Sequence, residues 1–142
     1  MQVFIVGSVI DTVKILDPKR FNKQIIETKQ ILSALKGETS AWKNHPCTLQ
    51  YRGLDRWLEL YLRCFEEYKN NNYTLALSAS ILASEITPIF HTDEYFNQMK
   101  RRLFTKDNKY YFQWQDLGQS DVNWYFVDNK WRFYKNGKRI LC

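Results

Sequence analysis

Asp17-Pro18 at one end and Gly37 at the other bracket the segment that most restricts what this chain can become. An acid that can cap, followed by proline at the first helical position, starts a helix. A glycine that tolerates the left-handed conformation ends one. Between them, at about 100° per residue, Phe21, Ile25, Thr28, Leu32 and Leu35 fall on one face. Arg20, Lys23, Gln24 and Glu27 share another, centred about a quarter-turn or more away. A carboxylate thus sits among cations and an amide beside a core-facing stripe. That pattern fits the wall of a site, and it also fits an ordinary solvated helix face.

The rest of the chain repeats the helical theme. Asn44-His45-Pro46 can open a second helical stretch that Gly53 breaks. From Leu54 to Asn70, Trp57, Leu58, Tyr61, Leu62 and Phe65 keep helical spacing, with Asp55, Arg56, Glu59, Arg63, Glu66 and Glu67 outside. Shorter helices are expected from Leu75 to Glu85 and from Asp93 to Phe104, the latter capped by Thr92. The β-branched, apolar run Met1 to Ile10 could lie extended across the core. After Lys106 the pattern changes, and Tyr110 to Trp114, Trp124 to Val127 and Trp131 to Tyr134 read as extended segments. Asp128-Asn129 and Asn136-Gly137 mark turns that leave room for a short hairpin. The expected fold is mainly α: a single compact helical domain over 1–142 with an extended aromatic-basic tail. No repeat or linker-like tract divides it.

Charge is unevenly spread. Residues 1–49 carry 7 Lys/Arg against 4 Asp/Glu, residues 50–99 carry 4 against 7, and residues 100–142 carry 10 against 4. Eleven of the 23 aromatic residues lie in that last basic stretch. Basic ends around an acidic middle suit a polyanion partner, and aromatic-basic interleaving suits base stacking with phosphate contacts. An ordinary basic protein whose tail packs its rings on the helices has the same composition. No run of 18 apolar residues exists to span a membrane, and the apolar start lacks the basic flank of a signal peptide. Cys47, Cys64 and Cys142 cannot all pair, and with His45 they make no zinc-binding spacing. Reduced thiols in a cytoplasmic protein, with no metal, are the expectation.

Several segments, in order, are familiar together. Leu16-Asp17, Arg20 and Glu27 give a first helix with a glutamate seven residues after a basic position. Trp42-Lys43-Asn44-His45-Pro46 holds an Asn-His-Pro step. The helix from Leu54 to Asn70 is followed by Phe90-His91, then by Leu103, Phe104, Thr105, Lys106 and Asp107. Trp131-Arg132-Phe133-Tyr134-Lys135-Asn136-Gly137-Lys138 closes the chain with an aromatic-basic tail. This arrangement resembles the pyrimidine-dimer DNA glycosylase/AP lyase family of the phage endonuclease V type, over nearly the whole chain.

The resemblance implies a DNA-repair enzyme without metal or cofactor, acting on damaged double-stranded DNA. In that family the N-terminal α-amine attacks the sugar C1′ to form an imine, and a glutamate on the first helix moves protons for β-elimination. An α-amine has an ordinary pKa near 8, so a useful neutral fraction exists at pH 7, whereas a lysine near 10.4 needs far more desolvation. By carry-over Met1 and Glu27 are the catalytic pair. The DNA-binding candidates are Arg20, Lys23, Gln24, His45, Arg101, Arg102, Lys106, Trp131 and Tyr134. Two departures stand out. Gln2 is too large for ordinary removal of Met1, which places the amine one residue further out than in the phage enzyme. Ile26 and Gln30 occupy positions where that enzyme has arginines. A non-catalytic protein that binds DNA or sequesters a small nucleotide on the same scaffold is therefore the alternative, and a protein-interaction domain built on the aromatic tail is a third reading.

Overall fold

The computed structural model describes residues 2–70, 87–117, 122–127, 130–135 and 138–139. It is mainly α, as the spacing predicts. The described helices are α1 (Val9–Ile15), α2 (Pro18–Leu35), α3 (Pro46–Gln50), α4 (Asp55–Asn70) and α5 (Asp93–Lys106), followed by a 3-10 helix at Phe112–Leu117. A C-terminal ribbon of β1 (Val122–Val127), β2 (Lys130–Lys135) and β3 (Lys138–Arg139) completes it. The helix expected from Leu75 to Glu85 lies outside the described residues.

Local chemistry accounts for most boundaries. Asp17 caps α2 through its carboxylate, Pro18 begins the helix, and Gly37 ends the turn at φ 74°. The His45 ring caps α3 ahead of Pro46, and Gly53 at φ 81° breaks the chain before α4. Thr92 caps α5, which runs two residues past Phe104 to Lys106.

At the start of the chain, residues 2–5 are extended as expected, but Val9 and Ile10 belong to α1. There Ser8 Oγ accepts the Asp11 N–H at 3.0 Å, and Val9, Thr12 and Val13 are buried. A cap and tertiary burial override the β-preference of those residues. Past α5, Tyr110 to Trp114 coil instead of extending. Asp107 accepts the Tyr110 N–H on its side chain at 3.1 Å and the Tyr111 N–H on its carbonyl at 3.0 Å, which starts a turn. That turn drives Tyr111 into the core, where its ring stacks on Trp114 with centroids 5.4 Å apart. The hairpin does form. β1 and β2 pair antiparallel from Val122↔Lys135 to Val127↔Lys130, and β2 pairs β3 from Tyr134↔Arg139 to Lys135↔Lys138.

The centre of the molecule is the N-terminal segment. Val3, Phe4, Ile5 and Val6 are all buried, enclosed by Phe21, Ile31 and Leu32 of α2 and by Leu58, Tyr61 and Phe65 of α4. Helix α2 packs on α4 and α3, α1 packs on α4, and β1 runs beside α3.

Candidate active site at the N-terminal segment

An extended backbone buried among helices has no neighbouring strand to satisfy its N–H and C=O groups, and leaving one unpaired costs about 1–3 kcal/mol. Here side chains supply the missing partners. The Gln2 N–H donates to Glu27 Oε2 at 3.3 Å. The Gln2 carbonyl accepts from Gln24 Nε2 at 2.8 Å, and the Phe4 N–H donates to Gln24 Oε1 at 2.9 Å. The Phe4 carbonyl accepts from the Tyr61 hydroxyl at 2.6 Å, and the Val6 N–H donates to Thr12 Oγ1 at 3.1 Å. The segment entering from the chain's start is thereby fixed against α1, α2 and α4.

Glu27 lies where that segment meets α2. Its side chain is 13% exposed; one oxygen faces Lys23 Nζ at 3.8 Å, while the other takes the Gln2 N–H and a long 3.5 Å contact from Gln24 Nε2. His45 borders the same region. Its Nδ1 accepts the Cys47 N–H at 3.1 Å, so the neutral ring carries its proton on Nε2. Burial holds the imidazole below its ordinary value, the positive charge of the chain's N-terminus adds to that, and Glu27 opposes both. Cys47 is buried, and burial pushes its thiol up to about 12, so it stays neutral and is no nucleophile. Three buried oxygens on the same elements, Gln2 Oε1, Thr28 Oγ1 and Thr48 Oγ1, have no hydrogen-bond partner. The wall therefore retains unused hydrogen-bonding capacity.

The other expected site residues divide. Gln24, expected to face DNA, is 1% exposed and turns inward to hold the N-terminal backbone. Arg20 is drawn away from Glu27 to Asp17, 3.1 Å from Oδ2, with its side chain 16% exposed. Asp17 in turn accepts from the Tyr111 hydroxyl in a very short hydrogen bond, and that hydroxyl accepts the Asp17 N–H at 3.0 Å. Lys23 stays exposed beside Glu27. Arg101, Arg102 and Lys106 lie along α5; Arg101 Nε bonds the Leu117 carbonyl at 3.4 Å, Arg102 is half-buried, and Lys106 is exposed in the last turn. Trp131 and Tyr134 occupy β2, opposite Phe126 and Asn123 of β1. Met1 lies outside the described residues.

The backbone at Trp42 has no counterpart in the sequence pattern. Trp42 adopts φ 64° in the turn before α3, is 44% exposed, and meets the His45 ring edge-on with centroids 5.5 Å apart. A bulky side chain in that backbone region is strained. His91, from the Phe90-His91 step, is half-buried in a cluster of rings. Tyr51, Trp57, Phe90, Tyr95 and Phe96 surround it, and burial lowers its imidazole to about 3. Among the described residues, no group of three or more His, Cys, Asp or Glu could hold a metal ion, and Cys47 and Cys64 are free thiols. No described helix is long and apolar enough to cross a membrane.

The fold and this region define a mainly α protein that secures its own N-terminal segment against a half-buried carboxylate on the following long helix. The family model described as pyrimidine dimer DNA glycosylase matches residues 1–79, which hold α1 to α4 and the hydrogen bonds of that segment named above. The chain belongs to this family. No curated protein and no solved structure shows a significant match.

Proposed function

We propose that the protein is a DNA glycosylase with abasic-site lyase activity on pyrimidine-dimer-type lesions, and that the chain's N-terminal amine and Glu27 carry the chemistry. Family membership supports damaged DNA as the partner. The observation that carries the residue assignment is the 3.3 Å hydrogen bond from the Gln2 N–H to Glu27 Oε2, which ties the residue next to the N-terminus to that carboxylate.

The steps follow from these groups. The neutral amine donates its lone pair to the sugar C1′, and the glycosidic C–N bond breaks with the base taking the bonding pair and a proton. Loss of a proton from the nitrogen and opening of the sugar ring give the imine. The Glu27 carboxylate stabilises the positive charge at C1′, then accepts the C2′ proton as the 3′ phosphate leaves. A lesion already weakens stacking and pairing, so exposing its sugar costs less than at undamaged sequence. Lys23, exposed next to Glu27, is placed for a phosphate. The half-buried His45 and the basic residues of α5 and the ribbon are the further DNA contacts of this reading.

Borohydride reduction of a reacting mixture tests this reading. Covalent trapping on DNA carrying an abasic site or a dimer is expected. Salt-sensitive binding without trapping or strand scission on any lesion would instead establish the non-catalytic DNA- or nucleotide-binding reading.

A further inference from the structure

We infer that Gln24 is the positioning residue of this site: its one amide sets both the register of the N-terminal segment and the carboxylate oxygen of Glu27 that faces it. The inference rests on the imine reading for its catalytic consequence, and on geometry alone for the clamp.

A primary amide offers two donors and two acceptor lone pairs. At Gln24 each faces a partner: Nε2 donates to the Gln2 carbonyl at 2.8 Å and to Glu27 Oε2 at 3.5 Å, and Oε1 accepts the Phe4 N–H at 2.9 Å with the Tyr61 hydroxyl 3.0 Å away. The orientation of the amide has one solution, because a backbone N–H must meet oxygen and a backbone carbonyl must meet nitrogen. Core filling does not explain this choice, since methionine has nearly the same shape and needs no partners. The amide supplies register. Gln2 and Phe4 are two residues apart, the repeat of an extended chain, so the carbonyl of one and the N–H of the other turn to the same side and meet one amide. A slip by one residue would move everything before it by about 3.3 Å and reverse its faces. Tyr61 supports the same position from α4, its one hydroxyl proton shared between the Phe4 carbonyl at 2.6 Å and Gln24 Oε1 at 3.0 Å. Gln24 thus acts on the N-terminal amine through the backbone and on Glu27 directly.

The test compares the parent protein with Gln24→Met and Gln24→Glu, reading binding to an uncleavable abasic-site analogue and the single-turnover rate of borohydride trapping. Gln24→Met should bind within about two-fold of the parent and trap about 100-fold more slowly, the scale set by misplacing a reacting group by roughly 1 Å. Gln24→Glu keeps the two acceptor positions and loses donation to the Gln2 carbonyl until its carboxyl is protonated. Its trapping rate relative to the parent should therefore recover as pH falls from 7 to 5, a response that a general loss of packing would not give. Gln24→Met trapping within three-fold of the parent would overturn the inference. Should that variant not fold, Tyr61→Phe must slow trapping more than it weakens binding, and equal effects on both would count against the clamp. If the parent itself is not trapped, the imine reading fails, and the clamp is judged from hydrogen exchange at the Phe4 amide. Gln24→Met should speed that exchange at least ten-fold with the α4 amides unmoved, and unchanged exchange would refute it.

Discussion

Acid should destabilise this protein through His91, and the size of the effect follows from its surroundings. The ring packs 4.9 Å from Trp57 and 5.5 Å from Tyr95, and its Nε2 lies 3.0 Å from the Tyr51 hydroxyl. Burial lowers its value from 6.5 to about 3, so between those limits the unfolded chain binds a proton that the folded one refuses. Stability therefore rises with pH across that window and is lost as pH falls through it. Integrating from pH 7 to 4.5 gives a loss of roughly 2–3 kcal/mol from this one group. His91→Gln keeps a neutral nitrogen near Tyr51 and removes the titration. Urea unfolding of both proteins at pH 7 and 4.5 isolates the His91 contribution, because carboxylates titrate in both alike. The parent should lose roughly 2–3 kcal/mol more than the variant over that interval. Equal losses would show that His91 can be protonated in the folded state, and the burial argument would be wrong.

Other expectations follow from single contacts. Tyr111→Phe leaves the Asp17 N–H and carboxylate without their buried partner; chemical denaturation should show a loss of about 1.5–3 kcal/mol. Trp42 sits at φ 64°, where glycine carries no side-chain penalty, so Trp42→Gly should be more stable than Trp42→Ala by about 1 kcal/mol in thermal melts, the reverse of the usual order. Equal melting points for those two variants would mean that the turn is unstrained. Glu27→Gln removes the proton acceptor with little change in shape. DNA affinity should hold while strand cleavage falls about 10²–10⁴-fold, and undiminished cleavage in gel assays would take Glu27 out of the mechanism.

Much of the architecture is legible in the sequence because its punctuation is chemical. Asp17-Pro18, His45-Pro46, Gly53 and Thr92 each act at a helix end, and the spacing around Asp128-Asn129 matches the paired ribbon. Helix α1 is not legible, since Val9, Ile10 and Val13 favour strands and only burial against α4 and the Ser8 cap reverses that. The turn at Tyr110 is missed for the opposite reason, because one Asp107 side chain outweighs a run of aromatic residues.

Gln24 is the instructive error in the site. Polarity assigns it to the outer face, yet on a helical wheel it lies about 40° from Thr28, 20° from Ile31 and 60° from Phe21, the middle of the buried arc. Position on the wheel was the usable signal, and residue type hid it. The need for a buried amide arises only once an unpaired strand is known to pass beside α2, which no local pattern announces. The pairing of Arg20 with Asp17 was similarly readable as an i,i+3 contact, while the part Tyr111 plays, 94 residues away, was not.

The proposed mechanism makes the chain's N-terminal amine the nucleophile, with Glu27 bonded to the adjoining Gln2 N–H. Borohydride trapping on abasic-site DNA followed by digestion and mass spectrometry tests it most directly. A nucleotide-derived adduct on the N-terminal peptide, strongly reduced in Glu27→Gln, is the predicted result. An adduct on a lysine such as Lys23, or no adduct with any lesion, would contradict it.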